Sequence, residues 1–312
     1  MAFVAGLMLL DTPALYYRAF YGIPDSITAD DGTPVNAVRG LLDMIASLVR
    51  DHRPDRLVSC MDADWRPAFR VAALPSYKAH RLGADGVAED TPPGLIPQVP
   101  LIVEALDAVG IAQARAAGYE ADDVIGTLAQ TGGADGSGVD IVTGDRDLFQ
   151  LVDDARGIRV QYTARGVRNL TLVDEAAVTD KYGVPGRTYG DFATLRGDPS
   201  DGLPGVPGVG AKTAAALITR FGGLDGILAA LDSGEQNGFP AGSRNKLTAA
   251  RDYLSSARTV VEVVTDVPLP ELDDRLPVAP RDPAHLGELA KRWNLGGPVE
   301  RLAQALEARA RG

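Results

Sequence analysis

The sequence predicts an α/β domain with a mainly parallel sheet, followed by a helical region. Short apolar runs at 4–10, 57–61 and 139–144 are typical of strands in a buried parallel sheet. Helical patterns alternate with these runs, as in an α/β fold. From about residue 174 the pattern is helical only. We therefore expect an α/β domain at 1–173 and a helical region at 174–312.

Apolar residues recur at a helical period within the first domain, at 35, 38, 41, 42, 45, 48 and 49. This predicts a helix over 35–50, and similar patterns predict helices at 95–109 and 122–129. The polar segment 75–94 is expected to form a mobile loop or a partly helical arch over the sheet. The stretch GGADGSG at 132–138 predicts a surface loop.

The C-terminal region contains a Gly/Pro cluster at 197–210 that precedes a strongly predicted helix at 211–220. Further helices are expected at 224–231, 243–256, 283–293 and 298–310. The segment 266–283 is rich in proline and is expected to be irregular.

Composition excludes several classes of protein. The longest apolar run, at 7–10, is far shorter than the roughly 20 residues of a membrane span. A signal peptide begins with a basic segment, and no basic residue stands before Asp11. A cytoplasmic location is therefore expected. One cysteine and three scattered histidines exclude a cysteine-based zinc site and indicate no histidine cluster. The net charge of −11 argues against nucleic-acid binding, unless bound cations cancel some of the acids.

Each of the three predicted strands ends at an aspartate: Asp11, Asp62 and Asp145. Ligand sites in parallel sheets lie beyond the carboxyl ends of the strands, so these three side chains are expected to converge. Further acids stand in three short motifs, GYEADDVIG, TGDRDLFQL and GDPSDGLPG. They are Glu120, Asp122, Asp123, Asp147, Asp198 and Asp201.

Carboxylate clusters of this kind suit Mg²⁺ or Mn²⁺. Two such ions about 4 Å apart can activate water and stabilise the leaving oxygen in phosphodiester hydrolysis. The alternative for any single residue is a solvated or helix-capping role, as for Asp122 or Asp145. Repulsion among uncompensated acids at several strand ends favours the metal site for the set.

The stretch LPGVPGVGAKTA at 203–214 has the form of a helix–hairpin–helix. Gly205, Gly208 and Gly210 would allow a tight turn whose N–H groups face a phosphate, and Lys212 and Thr213 open the next helix. Such a hairpin binds the phosphate backbone of DNA without recognising its base sequence. The alternative is an ordinary connection between helices.

Basic residues form a third signal. Arg18 follows Asp11 closely enough to reach the acid cluster, and Lys78 and Arg81 would share one edge if the segment were helical. That edge could hold a scissile phosphate, or it could be a solvated face. Trp65 and Tyr77 could stack on a base, although aromatic residues more often pack in cores.

These stretches together resemble the bacterial 5′ nuclease family, flap endonuclease-like, which includes the N-terminal nuclease domain of DNA polymerase I. The matching stretches occur in family order over residues 4–260. They are LLDTPALYYRAF, MDADWRPAFR, SYKAHR, GYEADDVIG, VTGDRDLFQL and LRGDPSDGLPGVPGVGAKTAAALI. No part of the chain resembles a polymerase domain, which indicates a free-standing nuclease.

The resemblance implies a PIN-like α/β fold with a helix–hairpin–helix at 198–221. It implies 5′-3′ exonuclease and flap endonuclease activity on DNA in replication and repair. It implies two or three Mg²⁺ or Mn²⁺ ions at all nine acids, basic roles for Arg18, Lys78 and Arg81, and K⁺ at the hairpin. The expected partner is DNA with a flap, nick or free 5′ end, without a membrane or nucleotide cofactor. Candidate protein partners are a DNA polymerase, a ligase and a sliding clamp.

Two positions depart from the family pattern: Gly202 replaces the usual Asn, and Thr12 replaces the usual Gly. Neither removes a carboxylate. The sequence leaves two rival interpretations open. A haloacid-dehalogenase-type phosphatase would use the Asp-x-Asp of Asp62 and Asp64 with an aspartyl nucleophile. A non-catalytic DNA-binding scaffold would need no acid cluster.

Overall fold

The computed structural model describes residues 6–132 and 136–311. A six-stranded sheet is its centre, in the order β3-β2-β1-β4-β5-β6, with only β6 antiparallel to its neighbour. The strands are β1 Leu7–Asp11, β2 Arg56–Cys60, β3 Ala112–Ala114, β4 Val139–Thr143, β5 Ile158–Tyr162 and β6 Thr171–Val173. The predicted mainly parallel sheet is confirmed.

Helices cover both faces of this sheet. Those of the first half are α1 Thr12–Gly22, α2 Asn36–His52, α3 Ala68–Ala73, α4 Gln98–Val109 and α5 Ala121–Gly132. Those of the second half are α6 Glu175–Tyr182, α7 Tyr189–Arg196, α8 Ala211–Phe221, α9 Leu224–Asp232, α10 Ser243–Ala249, α11 Arg251–Val261, α12 Pro283–Arg292 and α13 Gly296–Ala310.

The central strand β1 separates two apolar cores. Its side chains alternate, so that Leu7 and Leu9 face one core while Met8 and Leu10 face the other. The first core contains α5 and most of the C-terminal helices. The second core contains α1, α2 and α4. Burial on both faces explains why the strand sequence is continuously apolar rather than alternating.

The last two helices return to the N-terminal domain. Helix α13 packs along α2, and α12 packs against α4. Leu286 of α12 and Leu302 of α13 are buried in the same core as Leu41 of α2. The domain boundary at 173/174 stays a prediction. Helices α12 and α13 of the region 174–312, however, pack against helices of the first domain.

Several element boundaries differ from the predicted ones. The helix expected at 95–109 begins at Gln98, because residue 96 precedes a proline, which disfavours helical geometry there, and 93–97 form turns. The helix expected at 243–256 is two helices with a break at Ala250, where φ is −97°. The predicted strand at 4–10 and loop at 132–138 fall partly on residues outside the described ranges.

No single helix in the described ranges is long and apolar enough to cross a membrane. Helices α8 and α9 meet that test of length and composition only as a pair, and they are bent by 76°.

Candidate functional site

The carboxyl ends of β1, β2 and β4 meet at one side of the sheet, where the strand order reverses around β1. A cavity of about 150 Å³ opens there between α1, α5 and the segment that contains Lys78. The ionisable residues that line it are Asp11, Asp62, Asp145, Glu120, Asp122, Lys78, Arg81, Tyr17 and Glu89. The structure therefore brings together the three predicted strand-end aspartates.

Backbone and hydroxyl donors hold these carboxylates in place. Asp11 begins α1 by accepting the Ala14 N–H at 3.2 Å, and its other oxygen accepts the Thr143 hydroxyl at 2.5 Å. Thr143 Oγ1 accepts the Asp145 N–H at 2.8 Å. Asp62 accepts the N–H of Ala121, the first residue of α5, at 2.7 Å. The ends of β1 and β4 are thus fixed to each other through Thr143.

Asp145 lies between the cavity and a second acidic group formed by Asp147, Asp198 and Asp201. Asp145 accepts the Asp147 N–H at 2.8 Å. Asp198 begins the short helix Pro199–Asp201 by accepting the Ser200 N–H at 2.9 Å. Asp201 lies close enough to Asp145 for their charges to repel, so the acids of the GDPSD motif adjoin those at the ends of the strands.

Burial is the largest cause of raised pKa values in the acidic cluster. It raises the pKa of Asp11 to about 6, of Asp62 to about 7 and of Asp201 to about 6. It also raises the pKa values of Asp122 and Asp147 well above their usual range. In the absence of a bound cation, these carboxylates take up protons more readily, because protonation reduces the negative charge that is buried in the cluster.

Repulsion from Asp145 adds to the raised pKa values of four neighbours. They are Asp11, Asp122, Asp147 and Asp201. In addition, Asp147 Oδ1 is buried without a hydrogen-bond partner among the described residues. Within 6–132 and 136–311, no group of three or more acidic, histidine or cysteine side chains is already arranged to hold one ion.

Glu120 is held by three donors, which accounts for its fixed position. The Tyr77 hydroxyl donates to Glu120 Oε2 at 2.6 Å, Arg70 donates to the same oxygen at 2.7 Å, and Lys78 pairs with Oε1. Burial opposes the charge of Lys78, but Glu120 and neighbouring groups outweigh it and raise the pKa of Lys78 well above its usual range. Lys78 is therefore a charged amine at the cavity wall.

Two predicted roles do not agree with the structure. Tyr77 is only 3% exposed and bound to Glu120, so it has no face available for stacking on a base. Asp123 is fully buried, pairs with Arg70 through both oxygens and accepts the Val264 N–H at 2.9 Å. Its two oxygens already accept four hydrogen bonds, from Arg70, the Glu120 N–H and the Val264 N–H, and we assign it to holding Arg70 rather than a metal ion.

Lys78 and Arg81 lie at the cavity, although not on a long helix. Lys78 has a left-handed φ of 47° and precedes the single turn Ala79–Arg81. Arg81 donates to the Ser200 carbonyl at 2.9 Å and contacts Asp201 at 3.3 Å. Arg18 lines an adjoining pocket together with Asp145. The segment 75–94 was expected to form a loop or arch over the sheet, but its residues Lys78 and Arg81 contact the GDPSD motif.

Both departures from the family pattern have local structural explanations. Gly202 has a φ of +75°, and a Cβ there would lie 2.3 Å from the Ser76 carbonyl oxygen. Glycine thus allows the 76–78 segment to approach closely. The Thr12 hydroxyl hydrogen-bonds with the Ser59 hydroxyl at 2.7 Å inside the fold, so its polar group is satisfied.

The hairpin lies between α7 and α8. Gly205 and Gly208 have φ values of +71° and +74°, as a tight turn requires, whereas Gly210 has a φ of −91° and does not need glycine's conformational freedom. Lys212 is exposed and Thr213 half-buried in the first turn of α8. Among the described residues no side chain caps this helix, which leaves its N-terminal N–H groups open to an anion.

Lys246 and Glu89 carried no signal of their own in the sequence. Lys246 of α10 donates to the Gly208 carbonyl at 3.0 Å. Glu89 lines the cavity and accepts the Tyr17 hydroxyl at 3.1 Å. Neither stands in a recognisable motif, because both reach the site through contacts between distant segments. Arg70, in contrast, stands in the MDADWRPAFR stretch.

Known proteins match this chain in both sequence and fold. Residues 6–183 match the family model of the 5′-3′ exonuclease N-terminal resolvase-like domain, and residues 184–284 match that of the 5′-3′ exonuclease C-terminal SAM fold. A 5′-3′ exonuclease of Streptomyces coelicolor is 60% identical, covering 96% of this chain and 100% of its own. A 5′-3′ exonuclease of Mycobacterium tuberculosis is 49% identical, with 96% and 98% covered.

A DNA polymerase I of Mycobacterium bovis is 39% identical over 91% of this chain, which spans 30% of that polymerase. Among solved structures, the bacteriophage T5 flap endonuclease in a complex with DNA and metal ions has a TM-score of 0.64. It is 17% identical, and the match covers 98% of this chain and 99% of that one. This distant likeness confirms the fold.

The two family models together cover most of the chain, and the close relatives match it almost end to end. Neither a haloacid-dehalogenase-type phosphatase nor a non-catalytic scaffold agrees with these matches. The strand-end carboxylates and the hairpin stand in the stretches that carried the resemblance. The chain therefore belongs to the 5′-3′ exonuclease family and is a hydrolase of phosphodiester bonds.

Proposed function

We propose that this protein is a metal-dependent 5′ nuclease that hydrolyses DNA, with 5′-3′ exonuclease and 5′-flap endonuclease activity in replication and repair. The observation that carries the proposal is the meeting of Asp11, Asp62 and Asp145 with Lys78 and Arg81 around one cavity. Acidic groups for cations and basic groups for phosphate are what such a reaction requires.

The donor set suits Mg²⁺ or Mn²⁺, because every acidic ligand offers hard oxygen atoms. The unpartnered buried Oδ1 of Asp147 and the raised pKa values of its neighbours also support a bound cation. The proposed ligands are Asp11, Asp62, Glu120, Asp122, Asp145, Asp147, Asp198 and Asp201. When bound, two or three ions would activate the attacking water and stabilise the leaving oxygen.

Lys78, Arg81 and Arg18 would hold the scissile phosphate. Lys78 is kept charged and fixed by Glu120, so its amine is oriented before substrate enters. Arg81 is positioned by the Ser200 carbonyl, and Arg18 lies beside Asp145 at the adjoining pocket. Positive charge that is already in place costs little reorganisation during the reaction.

The hairpin would bind the duplex part of the substrate. The turn at Gly205 and Gly208 and the open start of α8 with Lys212 and Thr213 offer N–H groups and charge to phosphates. K⁺ at this hairpin remains a proposal. Lys246 already places an ammonium group on the Gly208 carbonyl.

The cellular setting is also part of the proposal. An enzyme of this kind would act in the cytoplasm on flaps, nicks and duplex ends. The proposed protein partners are a DNA polymerase, a ligase or a sliding clamp, since these proteins act on DNA with flaps and nicks.

A nuclease assay with a labelled 5′-flap substrate tests the proposed function. We expect cleavage with Mg²⁺ or Mn²⁺ and none with excess chelator. Asp147→Asn should abolish cleavage while DNA affinity persists or rises, since a negative charge is removed. Chelator-resistant cleavage, or normal turnover of Asp147→Asn, would show that the proposed metal chemistry is wrong.

A further inference from the structure

We infer that helix α11 is a rigid link that sets the distance between the hairpin and the carboxylate cavity. Tyr253, Gln150 and Arg70 are its positioning residues. The inference rests on the proposed function, because that distance would decide which phosphate of the substrate is cut.

Tyr253, in the first turn of α11, joins the helix to the hairpin. Its hydroxyl accepts the Gly205 N–H at 3.0 Å and donates to the Thr194 carbonyl at 3.0 Å. Gly205 is confined on its other side, where a Cβ would lie 2.4 Å from the Arg196 carbonyl oxygen. One hydroxyl therefore connects α7, the hairpin and α11.

Arg70 joins the other end of α11 to Glu120. Its Nε donates to the Val260 carbonyl at 3.0 Å, and its Nη1 donates to Glu120 at 2.7 Å. Arg70 is only 2% exposed and is held in turn by Asp123. A buried, doubly paired guanidinium has little freedom to move, so the end of α11 and Glu120 are expected to move together.

Gln150 makes an independent connection from the same end of α11 to the second acidic group. Its amide nitrogen donates to the carbonyl of Asp147 at 2.8 Å and to that of Val261 at 3.0 Å. Its amide oxygen accepts the Val263 N–H at 3.1 Å. The C-terminal end of α11 is thus bound to both parts of the acidic cluster.

The helix between these contacts is short and well anchored. Tyr253 and Val260 are separated by about 10 Å along the helix axis, at about 1.5 Å per residue. Leu254 and Ala257 are fully buried, which prevents rotation of the helix. Successive phosphates of one DNA strand are about 3.4 Å apart along the helix axis. A displacement of that size would move the cut by one nucleotide.

Tyr253→Phe tests the link, because it removes the hydroxyl and keeps the ring. Cut positions are mapped on an end-labelled 5′-flap DNA with Mg²⁺ under single-turnover conditions. We expect the share of cuts next to the main wild-type position to rise about three- to tenfold, as for loss of a typical hydrogen bond. Tyr182→Phe is the matched control, since that buried hydroxyl has no hydrogen-bond partner among the described residues. It should leave the cut positions unchanged.

Amide hydrogen exchange of the DNA-free full chain tests the same link without catalysis. In Tyr253→Phe, faster exchange is expected at Gly205 and also at Val263 and Val264 beyond the far end of α11. A merely local role would change exchange at Gly205 alone. If Tyr253→Phe does not fold, Gln150→Met replaces it, with the effect expected at Val263 and at the cut position.

Two outcomes would overturn the inference. One is an unchanged pattern of cuts in a folded variant, and the other is an exchange change confined to the mutated end. Absence of any cutting by the wild-type protein would contradict the proposed nuclease function instead, and the exchange measurement would still decide whether α11 transmits the displacement.

Discussion

Lys78 owes its position to contacts between distant segments. Its N–H donates to the Asp201 carbonyl at 3.0 Å, and its side chain pairs with Glu120. The spacing of Lys78 and Arg81 predicted a common helical edge, but the structure has a left-handed residue and one short turn. The residue types predicted phosphate binding, and that role stays a prediction. Their geometry could not be predicted, because it depends on how 76–78 meets 198–202.

Lys78→Ala and Arg81→Ala should each lower the single-turnover cleavage rate more than they lower DNA affinity. Charge at the scissile phosphate acts mainly in the transition state, so we expect a loss of about 2–4 kcal/mol in barrier, comparable with loss of one oxyanion-hole donor. His80→Ala is the control, since His80 is exposed in the same turn. Equal losses in rate and affinity would make these residues ordinary phosphate contacts.

The raised carboxyl pKa values predict how stability depends on pH. The folded chain binds protons more tightly than the unfolded chain at Asp11, Asp62 and Asp201, whose pKa values rise from 3.8 to about 6, 7 and 6. Stability of the metal-free protein therefore falls as pH rises from about 4 to 7 and stays low above that range.

Chemical denaturation at pH 5.5 and pH 8 measures this effect. We expect the metal-free protein to be less stable at pH 8 by a few kcal/mol, since each pKa unit corresponds to about 1.4 kcal/mol. Mg²⁺ should restore stability at pH 8, and Asp62→Asn should reduce the pH dependence. Equal stability of the wild type at both pH values would contradict the raised pKa values of these buried acids.

At the scale of elements, continuous apolar runs were sufficient to predict β1, β2 and β4, and helical patterns were sufficient for α2, α8, α12 and α13. The short strands Ala112–Ala114 and Thr171–Val173 gave no comparable signal, because three residues contain too little pattern. The split between α10 and α11 was also missed. It depends on a local φ at Ala250 rather than on apolar spacing.

The hairpin yields a prediction at this scale. Gly208→Val should weaken binding to duplex DNA about tenfold, since Val strains a φ of +74° and displaces Lys246 from the Gly208 carbonyl. The loss should be alike for unrelated DNA sequences. Gly222→Val is the matched control, with a φ of +85° and open space outside the hairpin. Similar losses of affinity in both variants would indicate general strain rather than a lost DNA contact.

At the scale of the whole molecule, the net charge of −11 is compatible with the proposed DNA binding if cations bound at the cavity offset part of the acidic charge. Nine of the 42 acids were expected at the metal site, and eight of these remain candidates after Asp123 is assigned to Arg70. The sequence could predict which strand ends converge, since parallel strands share an edge. It could not predict the pairing of Asp123, which requires Arg70 and the 260–264 segment to come together.

The arrangement of hairpin and cavity leads to the central claim, that cutting is directed to the junction between a 5′ single strand and a duplex. The hairpin would hold duplex at a fixed distance from the acidic cluster. Reaching a phosphate at a blunt end requires the terminal base pair to open, at a cost of a few kcal/mol that a pre-existing flap avoids.

The most direct measurement compares end-labelled flap, nicked, blunt and single-stranded DNA of one sequence under single-turnover conditions with Mg²⁺. We predict that the flap is cut fastest, at the junction, and that the rate falls as salt rises, because the proposed contact between hairpin and phosphates would be electrostatic. Equal rates on all four substrates, or cuts scattered along the single strand, would contradict the account.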